Sequence, residues 1–207
     1  MPGVAPGDDD GPRRGFGNEP RPDLASGDAS EAHPAAPIAD ILLELGATHV
    51  LGIPDNGSMA LFELLRRGHD LKLLTVTREG EAFGVASGLW IGGKRPVVVL
   101  QCTGLLESGD ALRGTAQRMG VPLLLLVGYR GHDGMVAAGL DPFAPHPVTV
   151  RQRAEVDSAA LATEPTLRAW GVPYSFLEPG DEVGCLRRGW EHAHAESCPV
   201  AVLVTGH

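Results

Sequence analysis

Three unbroken apolar runs constrain this chain more than any other feature. They are Val97-Val98-Val99-Leu100, Leu123-Leu124-Leu125-Leu126-Val127 and Val200-Ala201-Val202-Leu203-Val204. A strand with one face in water alternates apolar and polar side chains, whereas a strand apolar throughout belongs in a sheet covered on both faces, the habit of parallel sheets. His49-Val50-Leu51-Gly52-Ile53, Leu71 to Val76 and Tyr174 to Leu177 also read as strands. Helical patterns separate them. Ile38, Ile41, Leu42 and Leu45 run up to a capping Gly46, and Leu61, Phe62, Leu64 and Leu65 follow Ser58 as N-cap and end at Gly68. Further helices are predicted over Glu79 to Ile91, Ala111 to Met119, Thr166 to Trp170 and Val183 to Ala195. The alternation predicts an α/β fold, a doubly wound, six-stranded, mainly parallel sheet with helices on both faces.

Composition delimits the domain and its partners. Residues 1–36 hold six Gly and six Pro, with Met1, Val4, Phe16 and Leu24 as the only bulky apolar side chains. Such a segment buries too little surface to offset the entropy of ordering, so a disordered tail is expected there and a single domain over 37–207. A net charge of −9 argues against a nucleic-acid partner, which needs a basic surface. No apolar run approaches the roughly 20 residues that span a bilayer, and no signal-peptide core is evident at the N-terminus. Cys102, Cys185 and Cys198 form no CxxC pair and suit a reducing compartment. The expectation is a cytoplasmic protein with no membrane association.

Ligands of open parallel sheets bind beyond the carboxyl ends of the strands. The residues there are Pro54-Asp55-Asn56-Gly57-Ser58 after the first strand and Thr77-Arg78-Glu79 after the second. Cys102 to Ser108 follow the third, and Gly128-Tyr129-Arg130-Gly131-His132-Asp133 the fourth. Each cluster has an ordinary reading as turn residues, helix-dipole partners or solvated charge, and their convergence on one edge is what points to a site. The helix after Glu79 is rich in small residues (Gly80, Ala82, Gly84, Ala86, Ser87 and Gly88), and each interior glycine costs roughly 1 kcal/mol relative to alanine. Close approach of another backbone, of a flat ligand or of the domain's own sheet would compensate.

Other motifs fail on geometry. Gly88 to Lys94 matches GxxxxGK, but Arg95 replaces the required Ser or Thr and the segment ends a helix instead of opening one. His192, His194 and Cys198 look like metal ligands, yet residues two apart on a helix diverge by about 200°. No metal site is expected on this chain.

Taken together, Gly52-Ile53-Pro54-Asp55-Asn56, Thr77-Arg78-Glu79-Gly80-Glu81-Ala82, and Gly88 with Gly93-Lys94-Arg95-Pro96 resemble the pyrimidine-binding domains of thiamine diphosphate enzymes. Pro122 to Gly131, Thr163-Glu164-Pro165 and Gly171-Val172-Pro173-Tyr174 resemble the sulfopyruvate and phosphonopyruvate decarboxylase group in particular. The resemblance implies that Glu79, nine residues before Gly88, hydrogen-bonds the cofactor's aminopyrimidine ring and favours the imino form that deprotonates the thiazolium carbon. Burial against apolar neighbours would raise its pKa toward neutrality and suit it to that role. Glu81 is the alternative carboxylate. Pro54, Thr103 and Gly104 are assigned with Glu79 to the cofactor, and Asp55, Asn56, Arg130, His132 and His146 to the substrate.

The resemblance also implies a partner. Such enzymes hold Mg2+ and the diphosphate with a Gly-Asp-Gly and a downstream Asn that are not found in this sequence, so a diphosphate-binding subunit is expected to supply them in an α2β2 or larger assembly. Two departures stand out: Leu106-Glu107 where relatives carry Gly-Asn, and a long loop over 132–162. The expected activity is decarboxylation of a small anionic 2-oxoacid. The alternatives are a carboligase subunit and a non-catalytic regulatory or scaffold subunit.

Overall fold

The computed structural model describes residues 35–206. Of the tail expected over residues 1–36, residues 1–34 lie outside the described residues, and the last two, Ala35 and Ala36, instead open the first helix, α1 (Ala35–Glu44). The chain continues through β1 (His49–Gly52), α2 (Met59–Arg66), β2 (Lys72–Thr75), α3 (Glu79–Ile91) and β3 (Pro96–Gln101). Next come α4 (Cys102–Glu107), α5 (Gly109–Ala111), a π-helical segment (Leu112–Gln117), β4 (Leu124–Gly128), α6 (His132–Ala137) and α7 (Val148–Arg151). The domain closes with α8 (Ser158–Ala169), β5 (Tyr174–Phe176), α9 (Glu182–Glu196) and β6 (Val200–Val204).

The six strands form one sheet in the order β2-β1-β3-β4-β6-β5, and every pairing is parallel. Side chains alternate across it. Val50, Val97, Val99, Leu124, Leu126 and Val202 pack under α1, α2 and α9, while Leu51, Val98, Leu100, Leu125 and Leu203 pack under α3, the π-helical segment and α8. Both faces are therefore covered, as the unbroken apolar runs require. β2 is the exception: it is an edge strand and stays largely exposed.

Two segments differ from the sequence expectation. Cys102–Glu107, for which no helix is predicted from the sequence, is helical, and α4, α5 and the π-helical segment follow one another with only the Ser108 turn between α4 and α5. Helix also fills much of the expected loop at 132–162. α8 starts eight residues before Thr166 and runs straight through Pro165. An interior proline removes a backbone hydrogen bond. Burial of Ala160, Leu161, Thr163, Glu164 and Leu167 opposes that cost.

Candidate active site

The chain leaves β1 for β2 and returns to place β3 on the other side of β1. The carboxyl ends of β1 and β3 thus flank the switch point at which open α/β sheets hold ligands. Pro54 lies just beyond β1, and Thr103 and Gly104 open α4 directly after β3. Glu79 is the first residue of α3 and is half-buried. It sits against Gly104: a Cβ built on that glycine would lie 2.4 Å from Glu79 Cγ and 2.7 Å from its Oε1. Only glycine at 104 leaves Glu79 its place.

Two other carboxylates surround this turn, and both are engaged. Glu81 Oε2 accepts from the Thr77 backbone N–H at 2.9 Å and from its hydroxyl at 3.0 Å. Those bonds hold Glu81 below the usual carboxylate pKa. Glu107 reaches across from α4. Its Oε1 accepts from Arg78 Nε at 3.1 Å and also pairs with the Arg78 Nη2, while Oε2 accepts the Gly80 N–H at 2.9 Å. The Arg78 guanidinium, with the Gly80 amide, holds Glu107 below the usual range. Glu107 therefore caps α3, which gives the Leu106-Glu107 departure a structural role. No hydrogen bond among the described residues ends on the Glu79 carboxylate.

Asp55 builds the turn after β1. Its Oδ1 accepts from the N–H groups of Gly57 at 2.8 Å and Ser58 at 2.9 Å, and its carbonyl accepts from Met59 N–H at 2.8 Å. Ser58, the expected N-cap, makes no side-chain bond to the helix; its Oγ accepts the Asp55 N–H at 3.1 Å instead. The aspartate has taken the capping role because its carboxylate spans two amides. Beside this turn lies a cavity of about 140 Å³ with Asp55, Asn56 and Ser58 on its polar side and Ile38, Leu61 and Leu126 on its apolar side. Its apolar lining belongs mainly to the α1/α2 face, whereas α3, which carries Glu79, packs on the other.

The remaining candidates separate. Arg130 is half-exposed just beyond β4, and its Nε donates to Asp157 Oδ2 at 2.8 Å. His132 is buried, with its ring 4.9 Å from that of Tyr129 and 5.5 Å from that of Phe176, and its Nδ1 lies 3.0 Å from Asp133 Oδ1. It packs the core under the loop. His146 lies further along, with Nε2 2.6 Å from the Asp141 carbonyl. Below the loop, Glu164 is buried and accepts from Tyr129 Oη at 3.1 Å and Tyr174 Oη at 3.0 Å. Burial, together with the neighbouring carboxylate, pushes both phenols well above their ordinary pKa. His194 Nδ1 lies 2.9 Å from the Trp190 carbonyl, and no group of metal-binding side chains occurs among the described residues. Among the same residues no helix is long and apolar enough to cross a membrane.

Comparison with known proteins bears on this edge of the sheet. Residues 34–143, over half of the chain, match the family described as thiamine pyrophosphate enzyme, N-terminal TPP binding domain. The chain belongs to this family. The match takes in β1 to β4 and α6, and so every strand-exit cluster around Glu79. Among curated proteins, the chain is 28% identical over 90 residues to sulfopyruvate decarboxylase subunit alpha of Methanococcus maripaludis, covering 44% of this chain and 54% of that one. It is 32% identical over 100 residues to phosphonopyruvate decarboxylase of Streptomyces viridochromogenes, covering 48% and 25%. The matches thus span about half of the former protein and a quarter of the latter. Benzoylformate decarboxylase from Polynucleobacter necessarius shares the fold, with a TM-score of 0.61 and 20% identity over 83% of this chain and 30% of that one.

Sequence reasoning did not find the pairings of Glu107 with Arg78, Asp157 with Arg130 or Glu164 with Tyr129. Each joins residues far apart along the chain, and no local pattern announces such a pairing.

Proposed function

We propose that this chain supplies the pyrimidine-binding side of a thiamine diphosphate-dependent decarboxylase for a small anionic 2-oxoacid of the sulfopyruvate or phosphonopyruvate type. The observation that carries the reading is Glu79: a half-buried carboxylate at the switch-point edge, accommodated by Gly104, and without a hydrogen-bond donor among the described residues while its two acidic neighbours are both engaged. A carboxylate left open where an open sheet takes its ligand fits a heteroaromatic ring nitrogen. When bound, thiamine diphosphate supplies the electron sink for the breaking carbon–carbon bond. Glu79 holds or shares a proton at its Oε atoms, and Pro54, Thr103 and Gly104, at the carboxyl ends of β1 and β3, would contact the aminopyrimidine. Glu107 keeps the first turn of α3 in place, and with it the position of Glu79.

A second chain carries the diphosphate and Mg2+ in this reading, in an α2β2 or larger assembly. Support comes from the relatives named as alpha subunits. The outer face of α3 agrees with it: Gly84, Val85, Gly88 and Ile91 are exposed on a helix that is apolar all round, and such helices normally end up covered.

The test uses the chain alone and together with a diphosphate-binding subunit bearing Gly-Asp-Gly. Titrating thiamine diphosphate with magnesium in a calorimeter should show weak binding to the chain alone and tight binding to the pair, and only the pair should release CO2 from sulfopyruvate or phosphonopyruvate. Tight binding by an isolated monomer would sink the two-chain arrangement. A cofactor-saturated pair that releases CO2 from neither acid would sink the decarboxylase assignment.

A further inference from the structure

The loop after β4 is held from several sides. Tyr129 donates its N–H to the Val204 carbonyl at 2.7 Å, and its hydroxyl lies 3.0 Å from the Ala160 carbonyl and 3.1 Å from Glu164. The His132 N–H closes a turn onto the Tyr129 carbonyl at 3.2 Å, with Gly131 at φ +81°, where a side chain is strained. Arg130 stands at the corner of that turn, and its carbonyl accepts a weak bond from Cys102 Sγ at 3.7 Å. A Cβ on Gly131 would lie 2.4 Å from Asp157 Cβ, so the loop backbone rests directly on Asp157.

Asp157 divides its two oxygens. Oδ1 accepts the Ala159 N–H at 2.9 Å and caps α8, and Oδ2 accepts from Arg130 Nε at 2.8 Å. A guanidinium has five N–H donors. Only Nε is engaged here among the described residues, which leaves the terminal fork with its four N–H groups on a half-exposed side chain at the carboxyl edge of the sheet. A fork of that kind matches a tetrahedral oxyanion.

We infer that Asp157 is a positioning residue: from the cap of α8 it locks Arg130 through Nε and presents the free Nη fork to a phosphonate or sulfonate group. The inference rests on the proposed reading of this edge as the substrate site. His132 and His146, both within the same stretch, are not part of it: the first is buried under the loop and the second lies 2.6 Å from the Asp141 carbonyl.

Two physical accounts of Asp157 give opposite signs. If it merely neutralises Arg130, removing its charge strengthens anion binding. If it positions Arg130, removing it weakens binding, because the fork is no longer held. Asn and Ser both keep the capping oxygen for α8 but cannot hold the guanidinium as a carboxylate does. The full chain, labelled on its arginines, is titrated with methylphosphonate, with the neutral dimethyl ester as control, and the guanidinium resonances of Arg130 are followed by NMR. In the unmodified chain Nε–H should exchange slowly before any addition, and the Nη signals should shift and slow on adding methylphosphonate only. Asp157→Asn and Asp157→Ser should each weaken that binding about tenfold, the lower end of what losing an orienting partner costs elsewhere. Binding that is unchanged or tighter in these variants overturns the positioning role. An absence of any Arg130 response in the unmodified chain overturns the anion site as well. Either failure leaves cofactor binding by the two-chain assembly intact, whereas failure of the thiamine reading shows in the calorimetric titration.

Discussion

Glu79 and Glu164 are both carboxylates on helices that pack on the same face of the sheet, and they have opposite fates. Glu164 is buried in α8 and accepts a tyrosine hydroxyl on each oxygen. Glu79, in the first turn of α3, is half-buried and accepts none among the described residues. A buried carboxylate without partners is expensive, so one that is fully satisfied belongs to the framework. A carboxylate kept at the edge with its acceptors open is available to a ligand. The contrast separates the two halves of the domain: β4, α8 and β5 form a locked frame, and β1, α3 and the start of α4 form an open edge.

The largest expected effect breaks the open side. Glu79→Gln should slow deuterium exchange at the thiazolium carbon by orders of magnitude in the assembled enzyme, because an amide does not exchange the proton. Stability should stay within about 0.5 kcal/mol, as for other substitutions outside the core. Unchanged exchange, with Glu81→Gln impaired instead, would transfer the role to the other carboxylate. Glu164→Ala should do the reverse. It strands the Tyr174 hydroxyl and deprives Tyr129 of one of two acceptors, so a loss of roughly 2–4 kcal/mol is expected from urea unfolding. Exchange per folded complex should change little. A stability loss indistinguishable from zero would mean the buried cluster is not a frame.

The smallest effect concerns Glu107. Arg78 and the Gly80 amide lower its pKa in the folded chain below the ordinary 4.5. The stabilisation this implies is fully present above the unfolded value and drains as the pH falls through the folded one. The group is largely solvent-screened, so only a shallow effect is expected. Melting temperatures from pH 7 down to pH 3 should fall less steeply for Glu107→Gln than for the unmodified chain. Parallel curves would show that the cap contributes nothing through charge.

Much of the architecture was legible without coordinates. Unbroken apolar runs called for a sheet covered on both faces, Gly46 was recognisable as a cap and sits at φ +87°, and α3 runs from Glu79 to Ile91 as read. The clusters after the strands follow from parallel connectivity alone. Local rules misled where packing overrode them. No helix is predicted at Gly104, yet it lies in α4 and makes room for Glu79; the predicted helix begins after Pro165, but α8 passes through that proline on buried contacts. The polar pairings lay further out of reach. Arg130 meets Asp157 across 27 positions, Arg78 meets Glu107 across 29 and Tyr129 meets Glu164 across 35. Periodicity and turn chemistry report on a residue and its near neighbours. Which carboxylate ends up buried and satisfied, and which stays open at the edge, depends on which distant side chains the sheet brings within about 3 Å, and only the packed chain decides that.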